Sequence, residues 1–349
     1  MGGAGGHRFR RCLRCGVSSS AVNLVAQFRL PGLEDRLRLV EGALGDAVTT
    51  EDPFLTEVAG HLVAAGGKRL RPVLVLASAA VCGVDATADV LQGAVSVELV
   101  HLGSLYHDDV MDEAESRRGV PSVNSRYGNL VAILAGDFLL ARASELAAGL
   151  GTEVAALLAR TIGQLCQGEV AQLQTAFNPD RSEVAYERAI AGKTASLLST
   201  ASRIGALVAG AAPDAVDALT AFGHAFGMAF QIWDDIGDLV STDDVLGKPA
   251  GHDMVEGTYT LPVLRALAVP GVGDDLRALL GSPLDPPTRD KARDLILGTD
   301  AVELSVIAAR RWADRADDAL RPLAGYGDAD SVAQLDGLGH RLLDGLDVE

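Results

Sequence analysis

Two acidic triplets stand out in the 349-residue chain. Asp108, Asp109 and Asp112 form the pattern DDxxD, and Asp234, Asp235 and Asp238 form it again as DDIGD. On a helix advancing about 100° per residue, positions i and i+4 lie about 40° apart, so Asp108 shares a face with Asp112, and Asp234 with Asp238. Each triplet ends an apolar stretch, VELVHLGSLY in one case and AFGHAFGMAFQIW in the other, where like charges are costly unless a cation compensates them. Hard oxygen ligands of this kind suit Mg2+, which keeps several waters and takes one or two carboxylates together with substrate phosphates. A single triplet in an acidic protein reads as a solvated helix end. Two of them, each behind an apolar helix, point to metal-assisted chemistry on an anionic substrate.

Basic residues form the complement. Of the four lysines, Lys68, Lys193 and Lys248 each follow a glycine, in GGKRLRP, GKTAS and GKPAG, whereas Lys291 sits in an ordinary charged segment. Glycine admits a close backbone approach and lysine a compact charge, so the three Gly-Lys pairs suggest diphosphate clamps. Arg69, Arg71, Arg117 and Arg118 extend the idea through bidentate phosphate contacts, although Arg117 and Arg118 could equally neutralise the acidic run from Asp108 to Glu115. A nucleotide P-loop at Gly192-Lys193-Thr194 is excluded, because its pattern needs glycine where the chain has Glu187, and no strand precedes it. A metal-dependent phosphohydrolase built on His107-Asp108, with His61 or His101 as further ligands, leaves the second triplet and the Gly-Lys pairs without a role.

The elements carrying these residues read as helices. From Gly32 onward, apolar residues recur at three and four in segments such as LTEVAGHLVAA, VLQGAVSVELVHLGSLYHDDVMDE and LVAILAGDFLLARASELAAGL, with no competing strand alternation. Glycine and proline punctuate them without opening a linker, so residues 34–349 form one all-α domain. Residues 1–33 hold five arginines and no acid; they lack apolar periodicity and read as a disordered basic extension, similar also to a transit peptide or to a start codon placed too early. Cys12 and Cys15 have no second pair at zinc spacing, and four cysteines are too few for a disulfide framework. The formal charge is −17 overall and −22 beyond residue 33, which argues against nucleic acid or anionic lipid as a broad-surface partner. The charge-free stretch Pro72–Val84 is too short to span a membrane. A soluble, cytoplasmic protein is expected.

Read in order, GGKRLRP (66–72), VELVHLGSLYHDDVMDEAESRRG (97–119), GDFLLARA (136–143), GEVAQL (168–173), GKTASL (192–197), FQIWDDIGDL (230–239) and GKPAGHDMVEGTYTLP (247–262) resemble the trans-isoprenyl diphosphate synthases, the head-to-tail polyprenyl synthase family. The resemblance implies an isoprenoid synthase helical bundle around a central apolar cavity, and a homodimer. It implies Asp108, Asp112 and Asp234 holding Mg2+ on the diphosphate of an allylic primer, with Asp109, Asp235 and Asp238 supporting them directly or through water. Arg117, Lys193 and Lys248 would hold that same diphosphate; Lys68, Arg71, His101 and Arg118 match positions for isopentenyl diphosphate, and Gln231 and Thr194 match polar positions at the reacting centre. Where family members often carry lysine after Glu-Gly, this chain has Glu256-Gly257-Thr258, which removes one phosphate contact.

The chemistry so implied is ionisation, condensation and elimination. Charge developing on a diphosphate leaving group needs cations, an allylic cation needs a dry apolar wall, and no side-chain nucleophile is required. Phe230 and the aliphatic helix faces are candidates for that wall, although Phe230 taken alone reads first as an ordinary core residue. Ser104 and Gly103, the fourth and fifth residues before Asp108, lie about one turn below the metals on the same side, so their small size predicts an open tunnel and a long product of about six to ten isoprene units. Alternatives are a short-chain synthase, a non-catalytic partner in a heteromeric synthase, and a cyclase. The extender set Lys68, Arg71 and His101 speaks against the last, because a cyclase needs no second diphosphate site.

Overall fold

The computed structural model describes residues 26–241 and 250–345; Lys248 and the Cys12–Cys15 pair lie outside the described residues. The helices are α1 (Leu33–Ala47), α2 (Pro53–Ala64), α3 (Leu70–Val81), α4 (Ala88–Met111), α5 (Val123–Tyr127), α6 (Asn129–Gly149), α7 (Thr152–Leu173), α8 (Glu183–Ile190), α9 (Ser196–Val208) and α10 (Pro213–Val240). They continue with α11 (His252–Val255), α12 (Leu261–Leu267), α13 (Val272–Arg277), α14 (Pro286–Leu297), α15 (Ala301–Leu320), α16 (Ala329–Leu335) and α17 (Leu338–Leu343). The starts are marked chemically: Asp52 accepts from the amides of Phe54 and Leu55 ahead of Pro53, Thr87 caps α4, and Ser182 caps α8. The all-α expectation is realised, with one small exception. β1 (Ser116–Arg117) pairs antiparallel with β2 (Val120–Pro121), and the two turn residues, Arg118 and Gly119, both have positive φ, as a two-residue hairpin of the primed type requires.

The basic extension ends earlier than residue 33. Ala26–Phe28 form a 3-10 turn, and Phe28 is fully buried with its ring edge-on to Phe226. Sequence periodicity could not show this, because one aromatic anchor carries no repeat.

Helix α10, about 42 Å long at 1.5 Å per residue, is the spine of the molecule. Its first half, Ala215 to Phe226, belongs to an apolar cluster with α1–α4, α6 and α9, while Met228 to Leu239 belongs to a second cluster with α8 and α11–α15. Trp233 packs against both. An aromatic ladder runs up one face of α10, Phe222 on Phe226 at 6.0 Å, Phe226 on Phe230 at 6.4 Å and Phe230 on Trp233 at 5.9 Å. The second aspartate triplet follows directly above this ladder, and the first ends α4, which belongs to the other cluster. Both triplets therefore meet at the seam between the two packed bodies.

Candidate active site

One cleft is lined by Asp112 of the first triplet and by Asp234 and Asp235 of the second, together with Glu169, Lys193, Thr194 and Gln231. Asp108 stands one helical turn before Asp112, whose backbone N–H donates to the Asp108 carbonyl at 2.8 Å. Burial pushes the Asp108 carboxyl up to about 6; Glu169 and Asp112 add to the rise, and Lys193 and Arg117 oppose it. Asp112 is raised as well, by burial and then by Glu256. Asp109 points elsewhere. Its side chain is about 2 % exposed and accepts from Arg117 at 2.6 and 2.7 Å, so these two residues pair with each other.

The second triplet divides its labour. Asp234 is exposed in the cleft. Asp235 is buried, with Tyr186 Oη donating to one carboxylate oxygen at 2.5 Å and Gln231 Nε2 to the other at 2.7 Å. The carboxylate fixes the Gln231 amide, whose oxygen accepts from the Thr194 hydroxyl at 2.6 Å. A relay thus runs Tyr186, Asp235, Gln231, Thr194. Desolvation pushes the Asp235 carboxyl up to about 7, opposed by those two donors. Asp238 accepts from the amide of Asp253, and its carbonyl accepts from Gly251, which ties α10 to the loop entering α11.

Lys193 sits on a π-helical turn, Ala191–Ala195, between α8 and α9, the kind of local widening that recurs at functional sites. The turn presses against α7. A Cβ on Gly168 would lie 2.5 Å from the Lys193 amide nitrogen, and one on Gly192 would lie 2.9 Å from the Gln164 carbonyl. Gly192 therefore admits the close approach of α7, and this crossing places Lys193 Nζ 2.8 Å from Glu169 Oε2. Burial lowers the lysine's affinity for its proton, but Glu169, Asp108 and Asp112 together raise it above the usual value. It is a firmly held cation facing the first triplet.

The remaining basic residues gather beside α3 and the hairpin. Arg69, expected to reach phosphate, is instead buried and structural, bonded to Glu41, Glu98 and the Val63 carbonyl. Arg118 donates to the carbonyls of Leu62 and Gly66 and lies over Gly67. Burial, with the like charge of Arg118, lowers Arg71 to about 10, and its Nε has no partner among the described residues. His101 is held well below its ordinary value by burial and then by Arg71 and Arg118. Lys68 Nζ stands 5.7 Å above the Trp233 ring. Arg71, His101 and Arg118 are thus neighbours in one positively charged, partly desolvated region, and Lys68 is exposed beside Trp233.

Gly103 faces α6, where an added Cβ would lie 3.1 Å from the Gly136 carbonyl oxygen and 3.1 Å from Leu140. Its small size serves helix packing rather than a tunnel. Ser104 donates to the His101 carbonyl. Glu169, Tyr186 and Arg181 escaped notice because each lies far in sequence from its partner; only the Gly168-Glu169 step within GEVAQL carried a signal. Among the described residues no three metal-ligating side chains are drawn together, so the protein alone forms no closed cage. Partly desolvated carboxylates spread along a cleft fit a hydrated hard cation that shares its coordination with a phosphate.

A helical bundle that brings two carboxylate rows to one cleft, beside a separate cationic region, has the build of an isoprenoid synthase. The polyprenyl synthetase family model matches residues 52–291, and the chain belongs to that family; it is a prenyltransferase. It is 42% identical over 285 residues to the heptaprenyl diphosphate synthase component 2 of Geobacillus stearothermophilus, covering 81% of this chain and 88% of that one. It is 45% identical over 249 residues to the nonaprenyl diphosphate synthase of Mycobacterium tuberculosis, covering 70% and 74%. In three dimensions it matches a polyprenyl synthase from Caulobacter crescentus CB15, crystallised with calcium and isoprenyl diphosphate, with TM-score 0.84, 33% identity, and 91% and 97% coverage.

Proposed function

We propose that this prenyltransferase is a Mg2+-dependent polyprenyl diphosphate synthase that condenses isopentenyl diphosphate with an allylic diphosphate and makes a long all-trans product. The observation that carries the reading is the meeting of Asp112, Asp234 and Lys193 in one cleft, with the positive region of Lys68, Arg71, His101 and Arg118 as a second anion site. Asp108, Asp112 and Asp234 would hold the Mg2+, which supplies charge stabilisation for a departing diphosphate when bound. Lys193 adds positive charge there, Lys248 lies outside the described residues, and Arg117 acts on the site by holding Asp109. Thr194 and Gln231 present polar atoms of fixed orientation to the reacting centre. Phe230 and Trp233, partly buried at the top of the ladder beside the second triplet, supply an aromatic wall that keeps water from an allylic cation. Long-chain relatives support the product class.

Incubation of purified protein with Mg2+, isopentenyl diphosphate and primers of increasing length tests this, with products separated by size. Chain elongation that stops when Mg2+ is chelated is expected; a cyclic hydrocarbon would overturn the reading. A homodimer is the proposed assembly, and Leu130, Ile133 and Leu134, exposed together at helical spacing on α6, offer it a face. A second reading, one subunit of a two-component synthase, is favoured by the relative named as component 2; it requires silence until another subunit is added. The free thiols Cys82 and Cys166 suit the reducing cytoplasm. No helix among the described residues is long and apolar enough to cross a membrane.

A further inference from the structure

The same cleft is lined by an arginine that neither motif contains. Arg181 precedes α8 and is 6% exposed, yet it forms no ion pair among the described residues. Its Nη1 donates to the Tyr259 carbonyl at 3.2 Å, its guanidinium lies 5.5 Å from the centre of the Tyr186 ring, and its Nε has no hydrogen-bond partner among the described residues. Two contacts zip this segment onto the loop between α11 and α12: the Phe177 amide donates to the Gly257 carbonyl at 2.9 Å, and Arg181 bonds the residue after Thr258. Thr258 lines the cleft as well.

The field of the Asp235 carboxylate reaches this guanidinium without bonding it, a buried guanidinium without a bonded counter-ion is costly, and an anion in the cleft would complete its pairing. Arginine also presents a planar fork that suits phosphate oxygens. We infer that Arg181 is a further diphosphate-binding residue of the cleft, supplying from the α7–α8 segment the positive charge that the neighbouring Glu256-Gly257-Thr258 loop does not provide. The inference rests on the reading of the cleft as a diphosphate site.

Calorimetric titration of the full chain with inorganic pyrophosphate in the presence of Mg2+ tests it without catalysis. Arg181→Gln is expected to weaken binding by about tenfold or more, and Arg181→Lys to keep most of the affinity. Without ligand, the melting temperature of Arg181→Gln should hold or rise, because an unpaired buried charge has gone, while the rise on adding pyrophosphate shrinks. Adding Thr258→Lys to Arg181→Gln should recover part of the loss. If wild type fails to bind Mg2+ and pyrophosphate, the reading of the cleft falls and this inference with it. If wild type binds and Arg181→Gln binds equally well, the inference alone is wrong. A loss shared in full by Arg181→Lys and untouched by Thr258→Lys would assign Arg181 to pinning the loop, and would also overturn it.

Discussion

Tyr186 shows how much of the site's chemistry lies behind the residues that face the ligand. Its hydroxyl occupies one oxygen of Asp235, and the other oxygen orients Gln231 and, through it, Thr194. Removing that hydroxyl leaves a buried carboxylate short of a donor, a loss of about 1.5 to 3 kcal/mol for a bond to a charged group. Tyr186→Phe is therefore expected to lower kcat by about tenfold, or about 1.4 kcal/mol of barrier, while KM for both diphosphates stays within about twofold; a change in KM alone would contradict the positioning role. The carboxylates also make a pH-dependent contribution. A carboxyl whose folded pKa is raised binds its proton more tightly in the folded state, so its stabilisation is complete below its unfolded value of about 4 and is lost as pH rises through the folded one. With Asp108 at about 6 and Asp235 at about 7, the metal-free protein should lose thermal stability as pH rises from about 4 through about 7. Mg2+ with pyrophosphate should restore more at pH 8 than at pH 5. A flat melting profile across that range would show that the burial of these groups has little energetic weight.

Among the elements, the crossings decide the geometry. Lys193 reaches Glu169 because two glycines let the π turn and α7 touch backbone to backbone, and α4 lies close on α6 because Gly103 and Gly136 leave room. A bulky residue at 103 should therefore act on folding. Gly103→Phe is expected to lower stability by about 1 to 3 kcal/mol through overpacking, whatever its effect on product. Ser104→Phe is the cleaner test of a tunnel below the first triplet, with shorter products expected at little cost in melting temperature. An unchanged product distribution from a folded Ser104→Phe would remove this face of α4 from the control of chain length.

Taken as a whole molecule, the chain leaves apolar side chains uncovered on α6: Leu130 is 71% exposed and Leu134 57%. Exposed leucines and isoleucine at one helical spacing mark a contact surface. Leu134→Glu should turn a dimer into monomers, read as a halved mass by light scattering after size exclusion. If wild type is already monomeric and inactive alone, the face belongs to a different subunit and the two-component assembly is the correct one.

The helical class and the two aspartate triplets were legible in the sequence because both are local: apolar periodicity and i, i+4 carboxylates depend on the geometry of a single helix. The Gly-Lys pairs were legible as residues but not as to why glycine was there, since Gly192 is required by α7, which lies elsewhere in the chain. Only the tertiary structure separated Asp234, facing the cleft, from Asp109 and Asp235, which are committed to Arg117 and to Tyr186 and Gln231. It also turned Arg69 from a phosphate ligand into a buried partner of Glu41 and Glu98, and brought Arg181 into the cleft. Which way a charged side chain spends its charge is decided by partners far away in sequence, and those distances exist only once the two packed bodies have closed on their seam.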